Sequence, residues 1–487
     1  MARDIVQIRI DHIGADGLGY GHSEGYRVGV AGVVAKDIVD VEIEHKSPHQ
    51  RLAWGKVRKI EARGPDFVRP ACHHAAPIRG RCGGCPFMHI EADAQRRIKH
   101  QLVEEALKNI RGYQPQPALK AAPNATEDAL GYRNRSNYIV FRPPGGKIHL
   151  GSRQPRGEGF AKMDGCLVNT PVIEDVTRRL AEILNERSIP VFPARSGLRY
   201  VTIRSNQKGD VLVDLICAQK DPGWMNSVVE RLVEHPAVKG ITTSVNRHDG
   251  NVIRVNPTRH VWGEDFIVEN LDGIELRLMA DTFFQLNAPV AEDMYRHAAQ
   301  WVRESKVIWD LYCGVGGIGL TMARSQPDAK LFGCEFTESA VRLARLNAKD
   351  NGIDAHYDVA DLSKGVPRGW TPPETVIVNP PRRGCDARVL DLLRRVRPRQ
   401  IVYMSCSVDS LQRDLETISE FGYRLSNHAA WDMLPQTEHV ETLVVLDRME
   451  TRPTQQRPRR DRRGAEPEVP VEADPAASHR RRFAKKR

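Results

Sequence analysis

Three groups of nucleophile, amide and acid type stand at the ends of apolar runs. Ile401-Val402-Tyr403-Met404-Ser405-Cys406 reads as a buried strand delivering a thiol to its carboxyl edge. Val376-Ile377-Val378 ends likewise in Asn379-Pro380-Pro381-Arg382, and His439-Val440-Glu441 sets a carboxylate just ahead of the run Leu443 to Leu446. In an open α/β sheet, ligands bind outside the carboxyl ends of the strands, so these three signals converge on one crevice. A thiol, an amide and a carboxylate meeting there suit covalent chemistry on a bound base. A free cysteine alone is more often a small buried hydrophobe. The strand-end placement of all three groups carries the functional reading.

A glycine-rich turn lies upstream. Trp309-Asp310-Leu311-Tyr312-Cys313-Gly314-Val315-Gly316-Gly317-Ile318-Gly319 follows one apolar run and opens a helical one, the form of a loop whose backbone approaches a ligand closely. Such loops serve dinucleotides and methyl donors alike. Asp310, ahead of the glycines, is placed to meet an amino-acid ammonium rather than a pyrophosphate. Glu335 ends the next strand, where a carboxylate can accept both ribose hydroxyls, and Asp361 ends a third strand-like stretch, within reach of an adenine. This set fits S-adenosylmethionine better than NAD, because no pyrophosphate has to be neutralised. Uracil C5 is a poor nucleophile until a thiolate adds to C6, after which it can take a methyl from a sulfonium, and a base must then remove the C5 proton. Cys406 suits the nucleophile and Glu441 the base.

The elements that must position these groups follow from the apolar pattern. From about Leu276, strands at Val307–Leu311, Lys330–Cys334, Val376–Val378, Ile401–Met404 and Leu443–Leu446 alternate with helical stretches such as Ser339–Lys349 and Arg388–Arg395. This predicts a parallel, doubly wound α/β sheet. Short β runs before residue 62, separated by turns that include Gly14 to Gly21, predict a small RNA-contacting barrel. A helix at Ala92–Ile110, a hairpin around Asn206–Gly209, a helix near Trp224–Val233 and a strand at Gly240–Val245 make a second unit. The expected division is 1–62, 63–275, 276–449 and a disordered basic tail at 450–487.

At 487 residues, with 40% hydrophobic and 28% charged residues, the chain has the composition of a soluble, multidomain globular protein. Neither a membrane span nor a signal peptide is read, so a cytoplasmic protein is expected. The net charge is +10, of which the tail from Thr451 carries +7, so attraction to phosphates is concentrated there. Gly131-Tyr132-Arg133-Asn134-Arg135-Ser136-Asn137-Tyr138 interleaves arginines with aromatics and offers phosphate contact and stacking. Arg382 and Arg383 are stronger candidates for RNA contacts near the site. Cys72, Cys82, Cys85 and Cys166 could bind either zinc or an iron–sulfur cluster, with His73 and His74 adding to the zinc reading.

Asp310-Leu-Tyr-Cys-Gly-Val-Gly-Gly, Phe283-Phe284-Gln285-Leu286-Asn287, Asn379-Pro-Pro-Arg-Arg-Gly384, Ser405-Cys406 and Asp432 through Glu441 together resemble the RNA uracil-5-methyltransferases, over about residues 65–448. The resemblance implies a Rossmann-like class I methyltransferase domain, a central α+β domain carrying the cysteines, and an N-terminal barrel of the TRAM/OB kind. It implies that Gln285, Tyr312, Glu335 and Asn379 contact S-adenosylmethionine, that Cys406 is the nucleophile and Glu441 the base, and that the four cysteines hold a [4Fe–4S] cluster. It makes RNA the partner and a monomer the expected state. Asn379 stands where many members have Asp, and this form is similar to the branch acting on a hairpin-loop uridine of 23S ribosomal RNA. Ser407 stands where Asn is common. A tRNA substrate, methyl transfer to an exocyclic amine through Asn-Pro-Pro, and a non-catalytic RNA-binding assembly factor are the alternatives.

Overall fold

The computed structural model describes residues 4–75, 82–117, 119, 129–154, 159–248 and 250–450. The tail expected at 450–487 therefore lies, from 451 on, outside the described residues. Strands Ile5–Arg9, His12–Ile13, Gly19–Ser23, Tyr26–Val30, Ile38–Lys46 and Leu52–Ala62 form the first sheet. Its two edge strands, Ile5–Arg9 and His12–Ile13, are consecutive in sequence, so one bent segment joins both edges and the sheet closes into a barrel. The segment expected to be only a turn, Gly14 to Gly21, runs into the strand Gly19–Ser23. Gly21 is not a turn residue: a Cβ there would lie 2.2 Å from the Arg9 carbonyl oxygen. Only glycine permits that approach across the barrel. Phe87, Ile90 and Ala94 pack into the barrel core, which ties it to the cysteine-bearing loop and the helix Ala92–Leu107.

The second sheet runs in the order Arg259–Gly263, Val238–Val245, Val211–Cys217, Leu198–Ser205, Arg135–Phe141, His149–Arg153, Phe160–Lys162, with helices Pro171–Glu186 and Met225–Leu232 packed on it. The hairpin Ile267–Leu271/Ile274–Leu278 follows. Its apolar residues join the core of the third sheet, so the division expected at 275–276 passes through one of its strands.

The third sheet has the order Ala355–Val359, Lys330–Glu335, Val307–Leu311, Thr375–Val378, Gln400–Ser405, Glu441–Arg448, Tyr423–Trp431. The first five strands are parallel. Both faces are covered. Trp309, Val376, Val378, Ile401 and Tyr403 point to one core and Ile308, Ile377, Val402 and Met404 to the other, which explains why these strands read as continuous apolar runs. The run Leu443 to Leu446, expected to be one more strand of a parallel sheet, is antiparallel, inserted between Gln400–Ser405 and Tyr423–Trp431. That reversal brings its leading residue, Glu441, to the edge where the parallel strands end. Among the described residues no helix is long and apolar enough to cross a membrane.

Candidate active site

A cavity of about 810 Å³ opens at the carboxyl edge of the parallel strands, and Cys406, Glu441, Gln285, Tyr312, Glu335, Asn379 and Asp361 all lie on its wall. The strand register explains the central pair. Ser405 is opposite Thr442, so the next residues outward, Cys406 and Glu441, leave the ladder side by side. Ser407 then caps the helix Val408–Glu420, its side chain accepting from the Ser410 N–H. Asparagine performs the same capping function, so the departure at Ser407 preserves the turn that presents the thiol.

Burial dominates the electrostatics of this pair. It pushes the Cys406 thiol up to about 11, helped by the Glu441 charge and opposed by Arg382. It pushes the Glu441 carboxyl up to about 8, again opposed by Arg382. Near neutral pH both groups therefore rest protonated. The Arg382 guanidinium lies within 3.0 Å of the His439 imidazole, and both line the cavity. His439 is lowered by burial and so rests uncharged.

The opposite part of the wall suits a nucleoside and an amino acid. Glu335 accepts the Phe336 and Thr337 N–H groups on one oxygen, at 2.8 and 3.1 Å, which fixes the carboxylate and leaves the other oxygen for a ligand. Asp361 is held by the Ser363 N–H and hydroxyl at 3.0 and 2.7 Å. The hydroxyl bond is the main cause of its depressed pKa. Phe336 is 73% exposed and lines the same cavity, a flat apolar face that sequence reasoning missed. Its signal was an aromatic placed directly after a strand-end acid. The glycine turn has Tyr312 at φ +63° and Gly316 at φ +89°. A side chain at Gly316 would also meet the Tyr357 hydroxyl at 2.8 Å. Asp310, expected against an ammonium, is instead fully buried beneath this turn, its carboxyl pushed up to about 8 by burial. It does not line the cavity.

Gln285 is brought in from outside the third sheet. The Asn134 side-chain amide donates to the Gln285 carbonyl at 2.9 Å, its backbone N–H donates to the Leu286 carbonyl at 3.0 Å, and Arg135 and Arg204 both donate to the Thr282 carbonyl. This corrects the expectation for Gly131 to Tyr138. Asn134 and Arg135 hold the Gln285 loop, Tyr132 donates to the Pro435 carbonyl at 2.9 Å, and Tyr138 is wholly buried. Tyr132, Asn134 and Arg135 act as internal scaffolding because their polar groups find backbone carbonyls in the neighbouring unit. The loop that leads to Glu441 is held equally firmly. Lys99 is fully buried and donates to Asp432 at 2.5 Å and to the Leu434 carbonyl at 3.1 Å. Gln95 exchanges two hydrogen bonds of 2.9 Å with Gln436, a non-glycine residue at φ +69°. The helix Ala92–Leu107 thus fixes the approach to the carboxylate.

Cys72, Cys82, Cys85 and Cys166 line one small separate cavity. None of the four is joined in a disulfide among the described residues. Burial pushes Cys85 up to about 12 and Cys166 to about 11, so neither would stand there as a thiolate without a cation. The six residues 76–81 between Cys72 and Cys82 lie outside the described residues.

The tRNA (uracil-5-)-methyltransferase family matches residues 371–449, and the methyltransferase small domain matches 296–396. Uncharacterized RNA methyltransferases of Halalkalibacterium halodurans and Thermosynechococcus vestitus are each 30% identical over 452 residues. The alignments cover 90% of this chain and 95% of the first, and 91% of this chain and 97% of the second. The crystal structure of Pyrococcus abyssi tRNA (uracil-54, C5)-methyltransferase with S-adenosyl-L-homocysteine matches with a TM-score of 0.70 at 25% identity, over 91% of this chain and all of that one. With a methyl-donor cavity, a thiol and a carboxylate on one wall and relatives aligned over nearly their whole length, the chain belongs to the S-adenosylmethionine-dependent RNA uracil-5-methyltransferases.

Proposed function

We propose that this enzyme methylates C5 of a uridine in a 23S ribosomal RNA loop through a covalent adduct between Cys406 and C6. The observation that carries the mechanism is the register that sets Cys406 beside Glu441 on the wall shared with Gln285, Glu335 and Asn379. S-adenosylmethionine supplies an electrophilic methyl group. Glu335 is oriented for ribose hydroxyls, with Asp361 and Phe336 toward the adenine and Gln285, Tyr312 and Asn379 along the remaining wall. Cys406 loses its proton to solvent, its thiolate Sγ bonds to C6, and the electron pair of the C5–C6 double bond moves into the ring to form an enolate. C5 takes the methyl group from the sulfonium, whose S–C electron pair stays on the sulfur of the departing thioether. Glu441 then accepts the C5 proton, the double bond re-forms, and Sγ leaves. A base must be unpaired or turned out of its stack to reach this wall.

RNA containing 5-fluorouridine tests the mechanism, because fluorine at C5 cannot be removed as a proton. A denaturation-resistant protein–RNA adduct at Cys406, absent from Cys406→Ala, is expected. Full methyl transfer by Cys406→Ala would refute it. The 23S assignment rests on the Asn379-Pro-Pro-Arg-Arg-Gly form. The tRNA reading is supported by the likeness to the Pyrococcus abyssi enzyme. Mapping 5-methyluridine in unmodified 23S transcripts and tRNA transcripts incubated with the enzyme separates the two.

We further propose that Cys72, Cys82, Cys85 and Cys166 hold a [4Fe–4S] cluster. The four thiols line one small cavity, and four thiolates suit either a cluster or tetrahedral zinc; the cluster reading follows the family resemblance. Anaerobic purification should give a brown protein with four irons. A colourless protein with stoichiometric zinc would overturn the assignment.

A further inference from the structure

A second cavity of about 810 Å³ lies away from the methyl-transfer wall, at the far end of two strands of the central sheet. Asn134, which touches the Gln285 loop, precedes the strand Arg135–Phe141, and Phe141 lines this second cleft. At about 3.3 Å per residue, Phe141 stands roughly 20 Å along the strand from Asn134 and its contact with the Gln285 loop. The register agrees: Arg204 pairs with Arg135 at the near end and Tyr200 with Ile139 at the far end.

Its lining sets four aromatic rings and three guanidinium groups among aliphatic and proline side chains. Phe160 is 43% exposed. It stacks on Phe141 at 5.3 Å and 26°, and the Arg153 guanidinium lies 5.7 Å from its ring centre. Arg199 stacks over Phe192 at 4.2 Å, and Arg142 completes the rim. No acidic residue lines the cleft, and among the described residues none of the three arginines is paired with a carboxylate. An exposed ring beside a guanidinium group that has no carboxylate partner among the described residues matches a stacked base next to a phosphate.

We infer that this cleft binds a single-stranded segment of the substrate RNA, remote from the target uridine, through stacking on Phe160 and phosphate contact with Arg153. The inference rests on RNA being the substrate, and it extends the recognised footprint beyond the methylated base. Arg199, whose guanidinium is already bonded to the Asn246 side chain and the Gly250 carbonyl, shapes the cleft rather than reaching outward.

The test uses the full chain, with Phe160→Ala, Phe160→Trp and Arg153→Ala compared with wild type. Binding to unmodified 23S and tRNA transcripts is measured over a salt series, alongside S-adenosylmethionine affinity and turnover at saturating RNA. Phe160→Ala is expected to weaken binding of the true substrate about 5- to 100-fold, as for one lost stacked base, with Phe160→Trp retaining affinity. Arg153→Ala is expected to reduce the salt slope by about 1. Methyl-donor affinity and saturated turnover should be unchanged in all three. Wild-type RNA affinity and slope in both alanine variants would overturn the cleft assignment, including in favour of a protein ligand. That failure is distinguishable from failure of the catalytic reading, because the 5-fluorouridine adduct in wild-type protein reports the reaction independently.

Discussion

Glu441→Gln separates the energetic and chemical roles of one carboxyl group. The side chain is 5% exposed, and burial raises its pKa from 4.5 to about 8 against the opposing charge of Arg382. Between those two values the folded protein keeps a proton that the unfolded chain has released. Its contribution to stability is therefore fully present below about pH 4.5, declines as pH rises and is lost through pH 8. A rise of that size is worth about 5 kcal/mol, an upper bound because relaxation and water entry reduce the cost of a buried charge. Glutamine keeps the shape and carries no charge. Thermal melts of the two proteins should nearly coincide at about pH 5, and the variant should melt several degrees higher at about pH 8.5. Activity moves in the opposite direction. Loss of the base should lower turnover about 10²- to 10⁴-fold, while the methylated Cys406 adduct accumulates and is seen as a slow-migrating band on denaturing gels. A variant whose melting advantage does not grow with pH, or that turns over within tenfold of wild type without accumulating adduct, would refute the reasoning.

For wild-type enzyme at saturating substrates, a log-rate profile measured by methyl incorporation should rise with pH and level off below about 8, because the base acts only when ionised and its ionised form costs less once the adduct has formed; a rate that falls between about pH 6 and 8 would exclude Glu441 as the limiting base. Lys99→Met strands the buried Asp432 beside the catalytic loop and should destabilise the fold by about 3–5 kcal/mol in denaturant titrations, with most of that loss recovered when Asp432→Leu is added. Phe336→Ala should weaken methyl-donor binding about 3- to 10-fold by calorimetry, the worth of one ring contact, and leave RNA affinity unchanged.

How much of this was legible in the sequence depended on the kind of signal. Cys406, Asn379 and Glu335 each end a parallel strand, and an apolar run buried on both faces announces both the strand and its end. Glu441 was legible as a carboxylate ahead of such a run, but an alternation of side chains carries no direction. Its arrival beside Cys406 depends on Glu441–Arg448 being antiparallel, which only the assembled sheet reveals. Gln285 was readable through its motif alone. The groups that hold its loop, Asn134, Arg135 and Arg204, are scattered about 80 to 150 residues upstream, and the first two lay in a segment that resembled an RNA-contacting surface. Gly19 and Gly21 were misread for a related reason: a glycine that permits close backbone approach looks the same in sequence as one that permits a turn, as Gly17 does.

The paired rise of Cys406 and Glu441 has a consequence for the order of the proposed steps. Two acids sharing one buried wall cannot both ionise cheaply, and the Glu441 charge is itself among the causes that raise the thiol. Arg382 offsets that repulsion for each of them, but a single cation can neutralise only one negative charge. While Cys406 is a free thiolate, an ionised Glu441 is therefore penalised. Once Sγ is bonded to C6 the negative charge has moved into the uracil ring, and after methyl transfer it is gone. The carboxylate is then the only anion facing Arg382, and its ionised form becomes less costly at the stage when a base is needed. These electrostatics thus favour thiol attack before proton removal. On this argument Arg382→Met should impair both adduct formation and adduct breakdown, whereas Arg382→Lys, which keeps the charge, should preserve the balance between them.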